Sequence, residues 1–164
     1  MSSNVCIVGC GYVGLTLGVV LADHGFKVWG IEKNTQVVKQ LNAGEPHFHE
    51  KGLKELLKKH LNKNIFFSEQ MPKEKMEVFV ISVGTPIDLK KKKTLMHPVV
   101  SAAKTIASHL TDGALVILRS TVPVGTTSKV VKPVLKKSKK NFLLAMCPER
   151  TAEGKSLDFF TQKS

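Results

Sequence analysis

The stretch Val5-Cys6-Ile7-Val8-Gly9-Cys10-Gly11-Tyr12-Val13-Gly14 decides how this chain is read. A short apolar run rich in β-branched residues and closed by glycine predicts a buried parallel strand. Gly9, Gly11 and Gly14 then take the positions of a G-x-G-x-x-G turn that opens a helix. Each glycine answers a separate demand: a tight turn, room for backbone N–H groups to approach a pyrophosphate, and close packing of helix on strand. The phosphates of a dinucleotide would sit at the positive, unpaired N–H end of that helix. Glycine-rich strand-to-helix turns occur in many folds, so the discriminating signal lies further along the chain.

A helix face of Val13, Leu17, Val20 and Leu21 ends at His24-Gly25, and a second strand, Lys27-Val28-Trp29-Gly30-Ile31, ends in Glu32. A carboxylate about 20 residues beyond the glycines is placed to accept hydrogen bonds from a ribose and to repel a 2′-phosphate. This predicts NAD rather than NADP as cofactor. Lys33 is the neighbouring cation that would soften the discrimination.

At 164 residues the chain suits one domain, residues 1–164, with a core that removes about 70% of the unfolded surface from water. It has neither a charged leader nor an apolar run approaching the roughly 18 residues of a membrane helix, so a cytoplasmic protein with no membrane role is expected. Three cysteines, Cys6, Cys10 and Cys147, form no C-x-x-C pair. That argues against disulfides and zinc, and all three are expected to be small packing residues. His47 and His49 alternate in a loop without a third ligand, so no metal site is expected.

The formal net charge of +12 is spread over Lys51 to Lys63, Lys90 to Lys93 and Lys129 to Lys140, without interleaved aromatics. Such a distribution describes solvated surface rather than a nucleic-acid reading head. A positive field of this kind draws in NAD and an anionic nucleotide substrate.

After Glu32, Asn34 is placed to cap a helix carrying Val37, Val38 and Leu41 that Gly44 closes. An irregular stretch, Glu45 to Gly52, precedes a helix with Leu53, Leu56, Leu57 and Leu61 on one face, then a strand at Ile65-Phe66-Phe67 and a linker from Ser68 to Lys75. Val78 to Val83 predicts a fourth strand running into Gly84-Thr85-Pro86, and Lys90 to Lys93 a basic loop. A helix follows His97-Pro98, and Ala114 to Leu118 predicts a fifth strand leading into Arg119-Ser120-Thr121-Val122-Pro123-Val124-Gly125-Thr126. Val130, Val131, Val134 and Leu135 mark a further helix that Pro133 should kink or end. Phe142 to Met146 predicts the sixth strand, running into Cys147-Pro148-Glu149-Arg150-Thr151-Ala152-Glu153-Gly154.

Six strands with intervening helices predict an α/β Rossmann domain, a doubly wound parallel sheet of order 3-2-1-4-5-6 with helices on both faces. Turns after strands one, four, five and six would converge on one crevice at the carboxyl edge.

With these turns in place the chain resembles the N-terminal domain of the UDP-glucose/GDP-mannose dehydrogenase family of nucleotide-sugar 6-dehydrogenases. The motifs that carry the resemblance are Gly9-Cys10-Gly11-Tyr12-Val13-Gly14-Leu15, Gly44-Glu45-Pro46 with Glu50-Lys51-Gly52-Leu53, and Val83-Gly84-Thr85-Pro86. Ser120 to Thr126, and Pro148-Glu149 with Glu153-Gly154, complete the set. The resemblance implies two successive NAD-dependent oxidations of the C6 alcohol of a UDP-sugar to a carboxylate, through a thioester on a cysteine.

By position it implies NAD contacts from Gly9, Gly11, Tyr12, Val13, Gly14, Glu32, Val83, Gly84, Thr85, Pro86, Ser120, Thr121 and Glu153. Glu149 corresponds to the glutamate of thioester hydrolysis and Thr121 to the threonine that positions water, while Glu149, Arg150, Thr151, Ala152 and Glu153 would lie along the substrate. Many relatives carry aspartate where this chain has Glu32. Pro148-Glu149-Arg150 with Gly154-Lys155 resembles the branch that oxidises UDP-N-acetylhexosamines, such as UDP-N-acetylmannosamine and UDP-N-acetylglucosamine. UDP-glucose dehydrogenases usually place phenylalanine after that glutamate.

The family's catalytic cysteine, its lysine and asparagine partners, the long helix of its homodimer interface and its C-terminal sugar-nucleotide domain have no counterpart within these residues. This piece alone is therefore expected to bind NAD as a monomer without turnover. A non-catalytic dinucleotide-binding or regulatory module is the alternative reading, and UDP-glucose 6-dehydrogenase the alternative parent enzyme.

Overall fold

The computed structural model describes residues 3–90 and 92–149. β1 (Asn4–Val8) lies in the middle of a parallel sheet, between β2 (Lys27–Ile31) and β4 (Val78–Ile81). β3 (Ile65–Ser68) adds to β2, while β5 (Ala114–Leu118) and β6 (Phe142–Met146) continue beyond β4. The order is the expected 3-2-1-4-5-6. It reverses between β1 and β4, which opens a crevice at their carboxyl ends.

Strand alternation divides the core in two. On β1, Val5 and Ile7 face a cluster with α1 (Tyr12–Asp23), α2 (Thr35–Asn42) and α3 (Leu53–His60). Cys6 and Val8 face the opposite cluster, with α4 (His97–Ala107) and α5 (Lys132–Leu135). Phe79, Ile81, Val116 and Leu118 complete this second layer and are almost wholly buried. Two-sided burial explains why β1, β4 and β5 read as unbroken apolar runs rather than as alternating ones. The layer of α1–α3 thins toward β6, where Leu143 is 65% exposed.

Local chemistry sets the helix ends. α1 stops where Phe26 N donates to Leu21 O (3.1 Å) and Gly25 N to Ala22 O (3.1 Å), with Gly25 at φ +87°. This is a Schellman termination, in which the left-handed residue costs least when it is glycine. Asn34 caps α2 as expected, its Oδ1 accepting from Gln36 N (3.0 Å) and Val37 N (3.4 Å). α3 is pinned to the end of α1 by Asp23, which accepts from Lys59 Nζ (2.6 Å) and His60 Nε2 (2.8 Å). Those two donors hold its carboxyl below the usual range.

Three expectations are refined. The disturbance at Pro133 takes the form of a π turn, Thr127–Val131, in which Lys132 N donates to Thr127 O. Widening the helix there places Pro133 in the first turn of α5, where its missing N–H and its ring are tolerated. Lys90, Lys92 and Lys93 are not part of a simple loop: Ile87–Asp88 pairs with Lys93–Thr94 in a short antiparallel hairpin, and Asp88 Oδ1 accepts from Lys90 N (3.0 Å). β4 ends at Ile81, so Ser82 and Val83 belong to the turn.

Gly30 on β2 leaves room for neighbours that pin the sheet beneath the crevice. A Cβ there would stand 2.7 Å from Phe67 Cδ1 and 2.8 Å from Cys10 Sγ. Gly30→Ala should therefore overpack the site and destabilise the domain by about 1–3 kcal/mol, as read by a lower urea midpoint at constant slope; an unchanged midpoint would show that Phe67 yields freely.

Candidate dinucleotide site

The three fingerprint glycines have different physical reasons. Gly9 has φ +97°, and a Cβ on it would lie 2.6 Å from Ser82 O. A Cβ on Gly14 would lie 1.9 Å from Gly9 O. Both positions are dictated by the fold itself. Gly11 differs, because a Cβ there would meet nothing within 4 Å, and its φ of −68° suits any residue. Gly84, across the crevice, is equally open. Neither the backbone nor the packing of the described residues requires glycine at these two places, and the space they leave is open to a ligand.

That space has the polarity a pyrophosphate needs. Gly11 begins α1 with no side-chain cap, no acidic residue stands in the first turn, and the first helical bond runs from Leu15 N to Gly11 O (2.9 Å). The amides of the first turn therefore face the crevice together with the positive end of the helix. Ser82 Oγ is buried there without a hydrogen-bond partner among the described residues.

Two cavities meet at Gly11 and Ser82–Gly84. The first, of about 320 Å³, is walled by Val8, Gly9, Glu32 and Lys33 on one side and by Pro98, Ala102 and Thr105 of α4 on the other. The second, of about 220 Å³, is lined by Tyr12, Val13, Thr85, Arg119, Ser120 and Thr121. Their walls are stitched together: Ser120 Oγ donates to Val83 O (2.7 Å), Thr85 Oγ1 to Thr121 O (2.7 Å), and Arg119 N to Ile81 O (2.9 Å).

Glu32 ends β2 at the first cavity, but it is not the solvated acid of a strand end. Its Oε2 accepts from Cys10 N (3.0 Å) and its Oε1 from Asn34 N (3.0 Å). The carboxylate thus braces the glycine turn, with lone pairs left on both oxygens for ribose hydroxyls. Lys33 Nζ donates to Ser101 Oγ of α4 (2.7 Å). This tether gives the nearest cation a partner of its own.

Tyr12 also has a partner that spacing does not foretell. Its hydroxyl donates to Glu50 Oε2 (2.5 Å), and its ring lies 5.0 Å from that of Phe48. The loop between α2 and α3 is thereby tied to the mouth of the second cavity.

Of the other expected residues, Gly14 lies under the helix rather than on a cavity wall, and Pro86 is exposed where its carbonyl accepts from Leu95 N (2.8 Å). Arg150, Thr151, Ala152 and Glu153 lie outside the described residues. Glu149 is reached by Arg119 Nη2 at 2.5 Å, with both side chains 10% exposed. Sequence reasoning assigns no role to Arg119, nor to the face of Pro98, Ala102 and Thr105. That face repeats at helical spacing, which is the signal that would have found it.

Burial pushes the Cys6 thiol up to about 12, and burial together with the charge of Glu32 raises Cys10 further. Neither is a nucleophile at neutral pH. Cys147 departs from the expectation of a packing residue: it is exposed and accepts from Arg119 Nη1 (3.4 Å). No group of three potential metal ligands occurs among the described residues, and no helix among them is long and apolar enough to cross a membrane.

Residues 3–163 match the NAD binding domain of the UDP-glucose/GDP-mannose dehydrogenase family. The chain belongs to this family. The domain is an NAD binding domain, and the residues lining the crevice fit that cofactor, with open space at Gly11 and Gly84, a helix start without a side-chain cap, and a braced carboxylate at the first cavity. The UDP-N-acetyl-D-mannosamine dehydrogenase of Methanococcus aeolicus is 36% identical over 157 residues, which are 94% of this chain and 36% of that protein. The UDP-glucose 6-dehydrogenase of Pseudomonas aeruginosa is 32% identical over 165 residues, 96% of this chain and 36% of that protein. Among solved structures, the UDP-N-acetyl-mannosamine dehydrogenase of Staphylococcus aureus superposes with a TM-score of 0.88 at 31% identity, covering 95% of this chain and 39% of that one. The chain thus spans little more than a third of the length of these relatives.

Two predictions separate ligand from fold. Gly11→Val should leave the unfolding midpoint unchanged and abolish NAD binding in calorimetry, whereas Gly14→Val should prevent folding; retained affinity in Gly11→Val would show that the pyrophosphate lies elsewhere. Glu32→Ala should weaken NAD binding by about tenfold or more and also destabilise the domain by about 1–3 kcal/mol, because two backbone N–H groups lose their acceptor. Unchanged affinity would remove Glu32 from the ribose site.

Proposed function

We propose that this chain is the cofactor half of an NAD-dependent UDP-sugar 6-dehydrogenase that converts a UDP-N-acetylhexosamine to its uronic acid with two NAD. The observation that carries the reading is the meeting of the turns after β1, β4 and β5 at one crevice, with Glu32 at the first cavity, Thr121 at the second, and Arg119 of the second cavity's wall paired with Glu149 of the turn after β6. The first cavity then takes the adenosine and the second the nicotinamide, with the pyrophosphate between them over Gly11. NAD supplies the hydride acceptor for each oxidation.

The working residues have separate tasks. Gly9, Gly11, Tyr12, Val13, Gly14 and Glu32 hold or shape the adenosine and pyrophosphate side, and Val83, Gly84, Thr85, Pro86, Ser120, Thr121 and Glu153 the nicotinamide side. Thr121 orients water, and Glu149 serves the hydrolytic step of the second oxidation. Arg150, Thr151, Ala152 and Glu153 run along the sugar nucleotide with Glu149. A Pro148-Glu149-Arg150 sequence favours an N-acetylhexosamine over glucose, since arginine offers a fork of donors suited to carbonyl and anionic oxygens where a phenyl ring offers none. The names borne by several relatives agree. The whole enzyme is proposed to work as a cytoplasmic homodimer, and the present residues alone to bind NAD without turnover.

Assay of the full-length protein should give two NADH per UDP-N-acetylmannosamine or UDP-N-acetylglucosamine consumed, with a higher kcat/KM than for UDP-glucose. Glu149→Gln should lower kcat by roughly a hundredfold or more. A preference for UDP-glucose would overturn the assignment to the N-acetylhexosamine branch, and full activity in Glu149→Gln the role of that carboxylate.

A further inference from the structure

Arg119 stands at the carboxyl end of β5 and is 8% exposed. Its backbone is fixed by the bond from its N–H to Ile81 O (2.9 Å), so the side chain leaves the sheet from a defined point beside the second cavity. The guanidinium then reaches across to the turn after β6, donating from Nη2 to Glu149 Oε2 (2.5 Å) and from Nη1 to Cys147 Sγ (3.4 Å). The backbone connection of that turn to the sheet is the bond from Cys147 N to Leu118 O (3.0 Å), two residues before Glu149.

We infer that Arg119 is the positioning residue for Glu149, holding its carboxylate ionised and in register with the nicotinamide side of the crevice. The inference rests on the proposal that Glu149 serves the oxidation, and it adds to that proposal the group through which Glu149 is held. The pair is largely shielded from water, with each side chain 10% exposed. In that setting a cationic neighbour favours the ionised carboxylate, and burial favours the protonated form, so removing the guanidinium shifts the balance toward protonation. A charge-assisted bond from a planar guanidinium also fixes direction, which a lysine ammonium does less well.

The chemical consequence concerns what Glu149 does at neutral pH. Clamped by Arg119, it is an acceptor that orders water or substrate hydroxyls and not a proton donor. The Cys147 thiol lies on the other arm of the guanidinium.

The test is an NMR titration of the Glu149 side-chain carboxyl in the chain itself, alongside calorimetric titration with NAD. In the unaltered protein the Glu149 midpoint should lie below the ordinary glutamate value of about 4.3. Arg119→Gln should raise it by about one pH unit or more, and Arg119→Lys should recover most of that rise. A midpoint at or above the ordinary value in the unaltered protein overturns the inference, even if Arg119→Gln fails to fold. An unmoved midpoint in a folded Arg119→Gln variant overturns it as well. Absence of NAD binding by the unaltered protein would instead overturn the reading of the crevice, and with it any catalytic meaning of the pair.

Discussion

Helix and strand are in backbone contact at the start of α1, where a Cβ on Gly14 would lie 1.9 Å from the carbonyl oxygen of Gly9. This approach brings the first turn of the helix down over the end of β1. Gly9 in turn lies against Ser82 of the β4 turn and donates from its N–H to Ile31 O of β2 (2.8 Å). Three strand ends are thereby held within one contact of the helix start, and the amides at that start have no direction to face but the crevice. Cofactor binding follows from packing: the chain closes around Gly9 and Gly14 and stays open at Gly11 and Gly84.

Charge is distributed on two scales. The overall excess of +12 acts at a distance, raising the local concentration of anionic nucleotides around the domain. In and beside the crevice several charges are paired or braced: Glu32 by two backbone N–H groups, Lys33 by Ser101, and Arg119 by Glu149. On the proposed reading, Glu32 is the residue that would select NAD over NADP, its carboxylate braced at the first cavity while the neighbouring lysine donates to Ser101.

Much of this is legible in the amino-acid sequence. Apolar runs such as Val78 to Ile81 and Ala114 to Leu118 are strands with one face buried and the other buried or half-buried, and the glycine turn and Asn34 cap declare their geometry locally. Long-range pairing between polar side chains is not legible in the same way. Tyr12 and Glu50 are 38 residues apart and Arg119 and Glu149 are 30 apart, and no periodicity links them. Spacing places Glu32 at the end of β2 but reveals only half its work, since its grip on Cys10 N depends on where the turn folds back. The π turn at Thr127–Val131 is hidden for a different reason. Proline announces a disturbed helix, but whether the backbone kinks, stops or widens is settled by the packing of Val131 and Leu135 against α4.

An NMR titration of the isotopically labelled chain with NAD would locate the cofactor residue by residue. The account predicts the largest amide shifts at Gly11, Tyr12, Val13 and Gly84, with smaller ones at Glu32 and Thr121, and none along the lysine-bearing stretch from Lys132 to Lys140. Shifts confined to that stretch, or spread evenly over the surface lysines, would mean that NAD is held by charge alone and would contradict the assignment of the crevice.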